Sequence, residues 1–323
     1  MPELETRDLR KIELAGEQDL EAGLRESIMR RELPDCYLYL GDGGTRRWLE
    51  LCESDEFPIC SHLSDLLEDS VGDLCEHFMG PLDLMSVGVG SGAKERILLE
   101  GLMGSCDLNY IAVDVSGDMV DRALEASADI PVPALGIVAR FEDLRSLEAY
   151  CENPVLLCML GNSFCNFDPD YALSLVRTHL GPGDNFLFDC SLKPNDTRDD
   201  AAAAFVEQVE SVYRSQVNMR FNIWPLVERG MRPDACRFHL DLVRAPSSAG
   251  EVHRTSKRLE ILEDSTVTIG GEDVKLQAGE TVRMGFTYKY SVAQVRSLLK
   301  MNNFEEVALF ATPDGENLLA LVK

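Results

Sequence analysis

The segment Leu82-Asp83-Leu84-Met85-Ser86-Val87-Gly88-Val89-Gly90-Ser91-Gly92-Ala93-Lys94 constrains this chain more than any other. A short apolar run ends in three glycines at alternate positions, and an amphipathic stretch, Arg96-Ile97-Leu98-Leu99-Glu100, follows at once. That order predicts a strand, a tight turn and a helix. Glycines let the backbone bend sharply and approach a ligand with no Cβ in the way. The helix start then offers free N–H groups to the ligand. A nucleotide-like cofactor is therefore expected. The next apolar run, Leu108 to Asp114, ends on an acid that can accept from ribose hydroxyls. Dinucleotide enzymes also want such an acid, so Asp114 alone does not choose the cofactor.

The surrounding pattern predicts an α/β fold. Strand-like runs at 82–88, 108–114, 135–140, 154–160 and 185–191 alternate with helical stretches starting near Ala93, Gly117, Leu144 and Pro169. Such alternation gives a parallel sheet with helices on both faces. Gly88, Asp114, Glu142 and Gly161 then fall at strand carboxyl ends, where ligands of such sheets sit. Residues 1–80 read as a helical, charged segment of a substrate lobe. The pattern changes after Pro194: a helix over 195–217 precedes a β-rich stretch with a glycine-turn hairpin at Val267–Leu276. We read 81–194 and 289–323 as the cofactor domain and 195–288 as an inserted α+β cap.

Composition narrows the partners. Lys and Arg total 31 against 56 Asp and Glu, a net charge of −25. Such a surface repels nucleic-acid phosphates and anionic lipid headgroups. Ten cysteines include no C-x-x-C pair, so neither zinc site nor disulfide framework is expected, and no other metal site is visible. Cys158, Cys165 and Cys190 lie in apolar runs and read as buried hydrophobes. The start Met1-Pro2-Glu3-Leu4-Glu5 lacks a signal-peptide pattern, and no apolar run reaches membrane-spanning length. A cytoplasmic protein, monomeric or weakly homo-oligomeric, fits these features.

The glycine spacing is G-x-G-x-G, whereas dinucleotide turns usually show G-x-G-x-x-G. The former is common in S-adenosylmethionine (SAM)-dependent methyltransferases, and the order of further segments resembles one family of them. That family is the histidine-specific Nα-methyltransferases of ergothioneine biosynthesis. Val87 to Leu99 matches its first motif without a gap, and Val113-Asp114-Val115-Ser116 matches its second strand. Leu160-Gly161-Asn162-Ser163-Phe164-Cys165-Asn166-Phe167-Asp168-Pro169 resembles its L-G-S-x-x-G-N-x-x-P loop. Thr287-Tyr288-Lys289-Tyr290 resembles its S-x-K-Y/F strand, and Thr312-Pro313-Asp314-Gly315 its closing D-P-x-G segment. The resemblance runs from about residue 36 to the end.

It implies a Rossmann-like class I methyltransferase fold with SAM as cofactor and S-adenosylhomocysteine (SAH) as product. Gly88, Gly90, Gly92, Lys94, Asp114 and Gly161 would hold the cofactor, with Phe141 and Glu142 near the adenine. Asn166 would hold the substrate amine, and Tyr39 would be an aromatic of the substrate lobe. The chain also departs from the family. Its E-Y-Y-P stretch is Asp55-Glu56-Phe57-Pro58 here, and Glu56 reads either as a catalytic base or as a solvated surface acid. Gly285 stands where the family has an imidazole-reading glutamate, and Thr287 replaces a serine. Phe238 is the expected apolar wall of the side-chain pocket. The family's A-A-F-N-x-N segment has no clear counterpart, and Tyr213 is a loose candidate for its carboxylate-binding tyrosine. A site stripped of a polar partner discriminates strongly against the substrate that used it. The expected activity is direct in-line methylation of an amino acid or small amine other than histidine. A binding module of the same fold, retaining SAM or a nucleotide without turnover, is the alternative.

Overall fold

The structure, a computed structural model, describes residues 10–193 and 199–323. The acidic start of the chain and the change of pattern at Pro194 lie outside the described residues.

The chain opens with β1 (Arg10–Glu13), α1 (Glu17–Met29), β2 (Glu32–Leu33), α2 (Gly41–Cys52) and α3 (Ile59–Cys75). An alternating section follows: β3 (Gly80–Val87), α4 (Ala93–Leu102), β4 (Cys106–Asp114), α5 (Gly117–Ala126) and β5 (Ala134–Val138). It continues through α6 (Leu144–Leu147), β6 (Val155–Met159), α7 (Pro169–His179) and β7 (Asn185–Ser191). Next come α8 (Asp199–Tyr213), α9 (Gln216–Val227), β8 (Cys236–Ser247) and β9 (Gly250–Ile261). The hairpin of β10 (Ser265–Ile269) and β11 (Glu272–Leu276) precedes β12 (Thr281–Lys289). The chain closes with α10 (Val292–Met301), β13 (Glu306–Ala311) and β14 (Asn317–Val322).

The large sheet has the order β1-β5-β4-β3-β6-β7-β14-β13. It is parallel from β1 to β7, and β14 inserts antiparallel between β7 and β13. Chain order runs outward one way through β4 and β5 and the other way through β6 and β7. The crevice between the carboxyl ends of β3 and β6 is therefore the topological switch point, where open α/β sheets bind ligands. The inner strands are covered on both faces, which explains their near-continuous apolar runs. Two large apolar clusters fill the two faces.

A third cluster belongs to a second lobe. Its sheet has the order β2-β12-β9-β8, so the N-terminal segment and the later insertion share one sheet. The division expected at residue 80 differs from this arrangement. β1 pairs with β5 and extends the large sheet, while α3 packs on α4 and β14. Residues 10–80 thus serve both lobes and are not wholly helical. The single helix expected over 195–217 is two, because Ser215 caps α9 by accepting from Asn218 N at 3.4 Å. Gly270 and Gly271, with φ of 60° and 81°, form the expected hairpin turn.

Candidate active site

Gly88, Gly90 and Gly92 have φ of 75°, 56° and 76°. Only glycine takes such values freely. Their tasks differ. A Cβ on Gly92 would lie 2.6 Å from Ala123 Cα, so this glycine lets α4 pack against α5. Gly88 and Gly90 shape the crevice itself. Asp114 is buried at its far wall. Its Oδ2 accepts from Gly90 N at 3.1 Å and its Oδ1 from Ser116 N at 3.0 Å. Burial pushes the Asp114 carboxyl up, and those backbone donors pull against the shift. Each oxygen accepts one such backbone bond and has a further lone pair for a ligand hydroxyl. Thr45 of α2 shares a 3.2 Å hydrogen bond with Ser116, so α2 roofs this end of the crevice.

Lys94 opens α4 beside the crevice. Burial works against its charge, yet Asp189 foremost, together with Cys60, Glu95 and Cys52, outweighs that and holds its pKa above the ordinary lysine value. Asp189 was not singled out from the sequence. It is buried in β7 and fixes the loop after β6, accepting from Gly161 N at 2.8 Å and Asn162 N at 2.6 Å. Asn162, itself at φ 65°, accepts from Ser191 N at 2.9 Å. Glu95 is buried in the first turn of α4 and accepts from Ser86 Oγ at 2.6 Å. Burial raises its pKa to about 7. Phe141 packs into the core against Phe167 at 4.6 Å between ring centroids, while Glu142 is exposed beside it.

Next to the crevice lies a cavity between side chains. Tyr39, Trp48, Phe57, Tyr213 and Phe221 wall it. The rings of Tyr39, Trp48 and Phe221 pack mutually at 5.3–5.6 Å. Gly161 and Asn166 line it on the cofactor side. Thr287 Oγ1 donates to Asn166 Oδ1 at 2.9 Å, joining two residues singled out from the sequence. Thr287 is fixed in turn by Thr255, whose Oγ1 accepts from Thr287 N at 2.8 Å.

Three of the expected catalytic and substrate-side residues, Glu56, Phe238 and Gly285, do not line this cavity. Glu56 is exposed, and Phe57 takes the inward position from the same loop. The turn decides which neighbour faces in: Glu56 N donates to Ser54 Oγ at 3.2 Å. Phe238 packs on the lobe's apolar cluster from the edge strand β8 and does not line the cavity. Gly285 sits where the pairing of β12 with β9 shifts register. A Cβ there would fall 2.1 Å from the Asp35 carboxylate. Asp35 accordingly fills the space a side chain at 285 would need, and it pairs with Lys257 Nζ at 2.9 Å. Both line the cavity.

Sequence reasoning also missed α9. Asn218 and Asn222 lie one turn apart on it, are buried and line the cavity. Asn222 Nδ2 donates to Asn218 O at 2.9 Å and to Asn218 Oδ1 at 3.0 Å. Asn222 Oδ1 is buried with no hydrogen-bond partner. A buried acceptor left in this state is available to a donor on a bound ligand.

The sheet order, the glycine turn at its switch point and the acid ending the next strand define a class I SAM-dependent methyltransferase. The cofactor fits the residues present: two glycines open the crevice, and Asp114 has acceptor capacity to spare. A family model described as histidine-specific methyltransferase, SAM-dependent, matches residues 16–323, and the chain belongs to that family. Its relatives include the N-methyltransferase fsqC of Aspergillus fumigatus, 25% identical over 301 residues, 88% of this chain and 77% of that protein. The N-methyltransferase imqF of Aspergillus flavus is 27% identical over 170 residues, 50% of this chain and 45% of that protein. A solved SAM-dependent methyltransferase from Clostridium acetobutylicum aligns with TM-score 0.42 and 14% identity over 80% of this chain and 91% of that one. Among the described residues no helix is long and apolar enough to cross a membrane, and no cluster of three or more His, Cys, Asp or Glu could hold a metal.

Proposed function

We propose that the chain N-methylates a small-molecule amine or amino acid other than histidine by direct in-line transfer. One observation carries this reading: the loop from Gly161 to Asn166 borders both sites. A Cβ on Gly161 would lie 3.5 Å from Lys94 Nζ, one on Gly88 would lie 3.2 Å from Ser163 Oγ, and Gly161 and Asn166 line the cavity. A methyl donor in the crevice and an acceptor in the cavity would therefore meet across one loop.

Gly88, Gly90, Asp114 and Lys94 would hold SAM, with the Phe141–Glu142 turn near its adenine. SAM supplies an electrophilic methyl group on a sulfonium sulfur. The chain's own contribution is positioning, which supplies a large share of rate in such displacements. Asn166 Oδ1 accepts an N–H of the amine, and Thr287 keeps that amide from turning. Asn222 Oδ1 offers a second acceptor. Neither amide is a base, so the amine must enter with its lone pair free. Aromatic walls exclude water from the nitrogen. Histidine is disfavoured because Gly285 supplies no imidazole-reading acid and Lys257, paired with Asp35, would repel an imidazolium.

Labelled SAM with a panel of amino acids and amines, histidine included, tests this. Label on the nitrogen of a non-histidine acceptor is expected, and Asn166→Ala should lower kcat/KM with SAH affinity unchanged. Histidine as best acceptor, or label on oxygen or carbon, would overturn the proposal. SAH binding without transfer to any acceptor would leave the binding-module reading instead.

A further inference from the structure

The ion pair of Asp35 and Lys257 is not needed to hold a methyl donor or an amine, yet it lines the acceptor cavity. Its side chains are 15% and 6% exposed. The backbone makes room for it, since only a residue without Cβ fits at 285 beside the Asp35 carboxylate. Resting on the proposed amine site at Asn166 and Thr287, we infer that Asp35 and Lys257 bind a hydroxyl at the far end of the acceptor. The substrate class is then a phenolic arylalkylamine or its amino acid.

Position supports this. Thr255 pairs with Thr287 across β9 and β12, and Lys257 lies two residues further along the same face of β9. Two strand residues span about 7 Å. Lys257 therefore stands one strand repeat from Thr255, whose partner Thr287 bonds the amine-holding amide, and the pair and that amide line the same aromatic-walled cavity. A flat ring with an amine arm on one side and a polar group on the other spans such a cavity.

Chemistry selects the polar group. Lys257 has three donor protons and gives one to Asp35, while Asp35 Oδ2 is free of that bond. A cationic group would be repelled by Lys257 and an anionic one by Asp35, and either would compete with the buried pair. An apolar end would leave the remaining donors and acceptor dry and unmatched. A neutral hydroxyl donates to Asp35 and accepts from Lys257, so it satisfies both without breaking their contact. Sites built this way reject analogues lacking the hydroxyl.

Calorimetry on the enzyme–SAH complex with tyramine, phenethylamine and 4-methoxyphenethylamine tests the inference without requiring turnover. Tyramine should bind at least about 10-fold tighter than phenethylamine, and the methoxy ether, which cannot donate, should also lose affinity. In Asp35→Asn/Lys257→Met the preference should shrink to about 2-fold or less at unchanged SAH affinity. Removing both partners avoids an unpaired buried charge. The wild-type comparison of the three amines decides the matter even if that variant does not fold. Equal binding of the three amines, absence of binding by all, or a preference that survives the double substitution overturns the inference. Discrimination in binding without methyl transfer would instead overturn the proposed function alone. Equal methylation of phenolic and non-phenolic amines would overturn this inference alone.

Discussion

Glu95 shows how one side chain ties the cofactor loop to pH. Its carboxyl is buried and its pKa rises from 4.5 to about 7 in the folded protein. The folded state holds this proton more tightly than the unfolded chain. Its stabilising contribution is thus full below pH 4.5 and is lost as pH rises toward 7. The shift corresponds to about 3 kcal/mol as an upper figure. Glu95→Gln keeps an acceptor for Ser86 Oγ and has no proton to lose. Urea unfolding at pH 5, 6, 7 and 8 should show the variant near wild type at pH 5 and increasingly more stable above it. A wild-type advantage that grows with pH would mean that the carboxylate is stabilising when charged. Asn222 makes the opposite kind of case. Its Oδ1 lacks a partner while its Nδ2 gives two bonds to Asn218, so Asn222→Leu should cost about 1–3 kcal/mol of stability. The KM for the amine should rise at least about 10-fold with SAH affinity retained, as initial rates and calorimetry can check. These two residues also divide by legibility. Glu95 sits in the glycine motif, but nothing in the sequence says that its side chain turns inward toward Ser86. Asn222 belongs to no motif, and its role depends on which face of α9 meets the cavity.

At the scale of elements, the strand–turn–helix of β3 and α4 was legible because its chemistry lies in consecutive residues and mostly in backbone. The same holds for Asp114, one strand further on. Asp35, Lys257, Gly285 and Thr287 were not legible as a group, since three separate elements and a register shift bring them together. Gly285 alone reads as a lost acid; in space it is the gap that admits another acid. Gly92 permits a direct test of the turn. An alanine there must adopt φ 76° and place its Cβ 2.6 Å from Ala123 Cα on α5. Left-handed backbone costs about 1–2 kcal/mol for a residue with a Cβ, and overpacking adds about 1–3 kcal/mol. Gly92→Ala should lower unfolding free energy by about 2–5 kcal/mol in a denaturant titration. A loss below 0.5 kcal/mol would show that α5 yields easily and that Gly92 is not a packing residue.

At the scale of the whole molecule, a charge of −25 surrounds a crevice that takes SAM, a cofactor with a sulfonium cation. A negative field favours association with cations and opposes anionic dinucleotides. SAH lacks the sulfonium charge but shares the adenosine that Asp114 and the glycine turn would recognise. Ionic strength should therefore separate the two: SAM affinity should fall as salt is raised and screens the field, whereas SAH affinity should change little. Ligand at 100 times its dissociation constant stabilises the fold by about 2.7 kcal/mol. With an unfolding entropy of about 2.1 cal/mol/K per residue, a chain of 323 residues should melt roughly 4 °C higher with SAH. NAD should give no such shift, because its pyrophosphate meets the acidic surface and the turn lacks the dinucleotide spacing. Asp114→Asn should reduce the SAH shift while leaving the salt dependence of SAM in place, since one charge among many sets the long-range field. A shift with NAD equal to that with SAH would undo the cofactor assignment. Equal salt dependence for SAM and SAH would show that the surface charge serves solubility and plays no part in capturing the methyl donor.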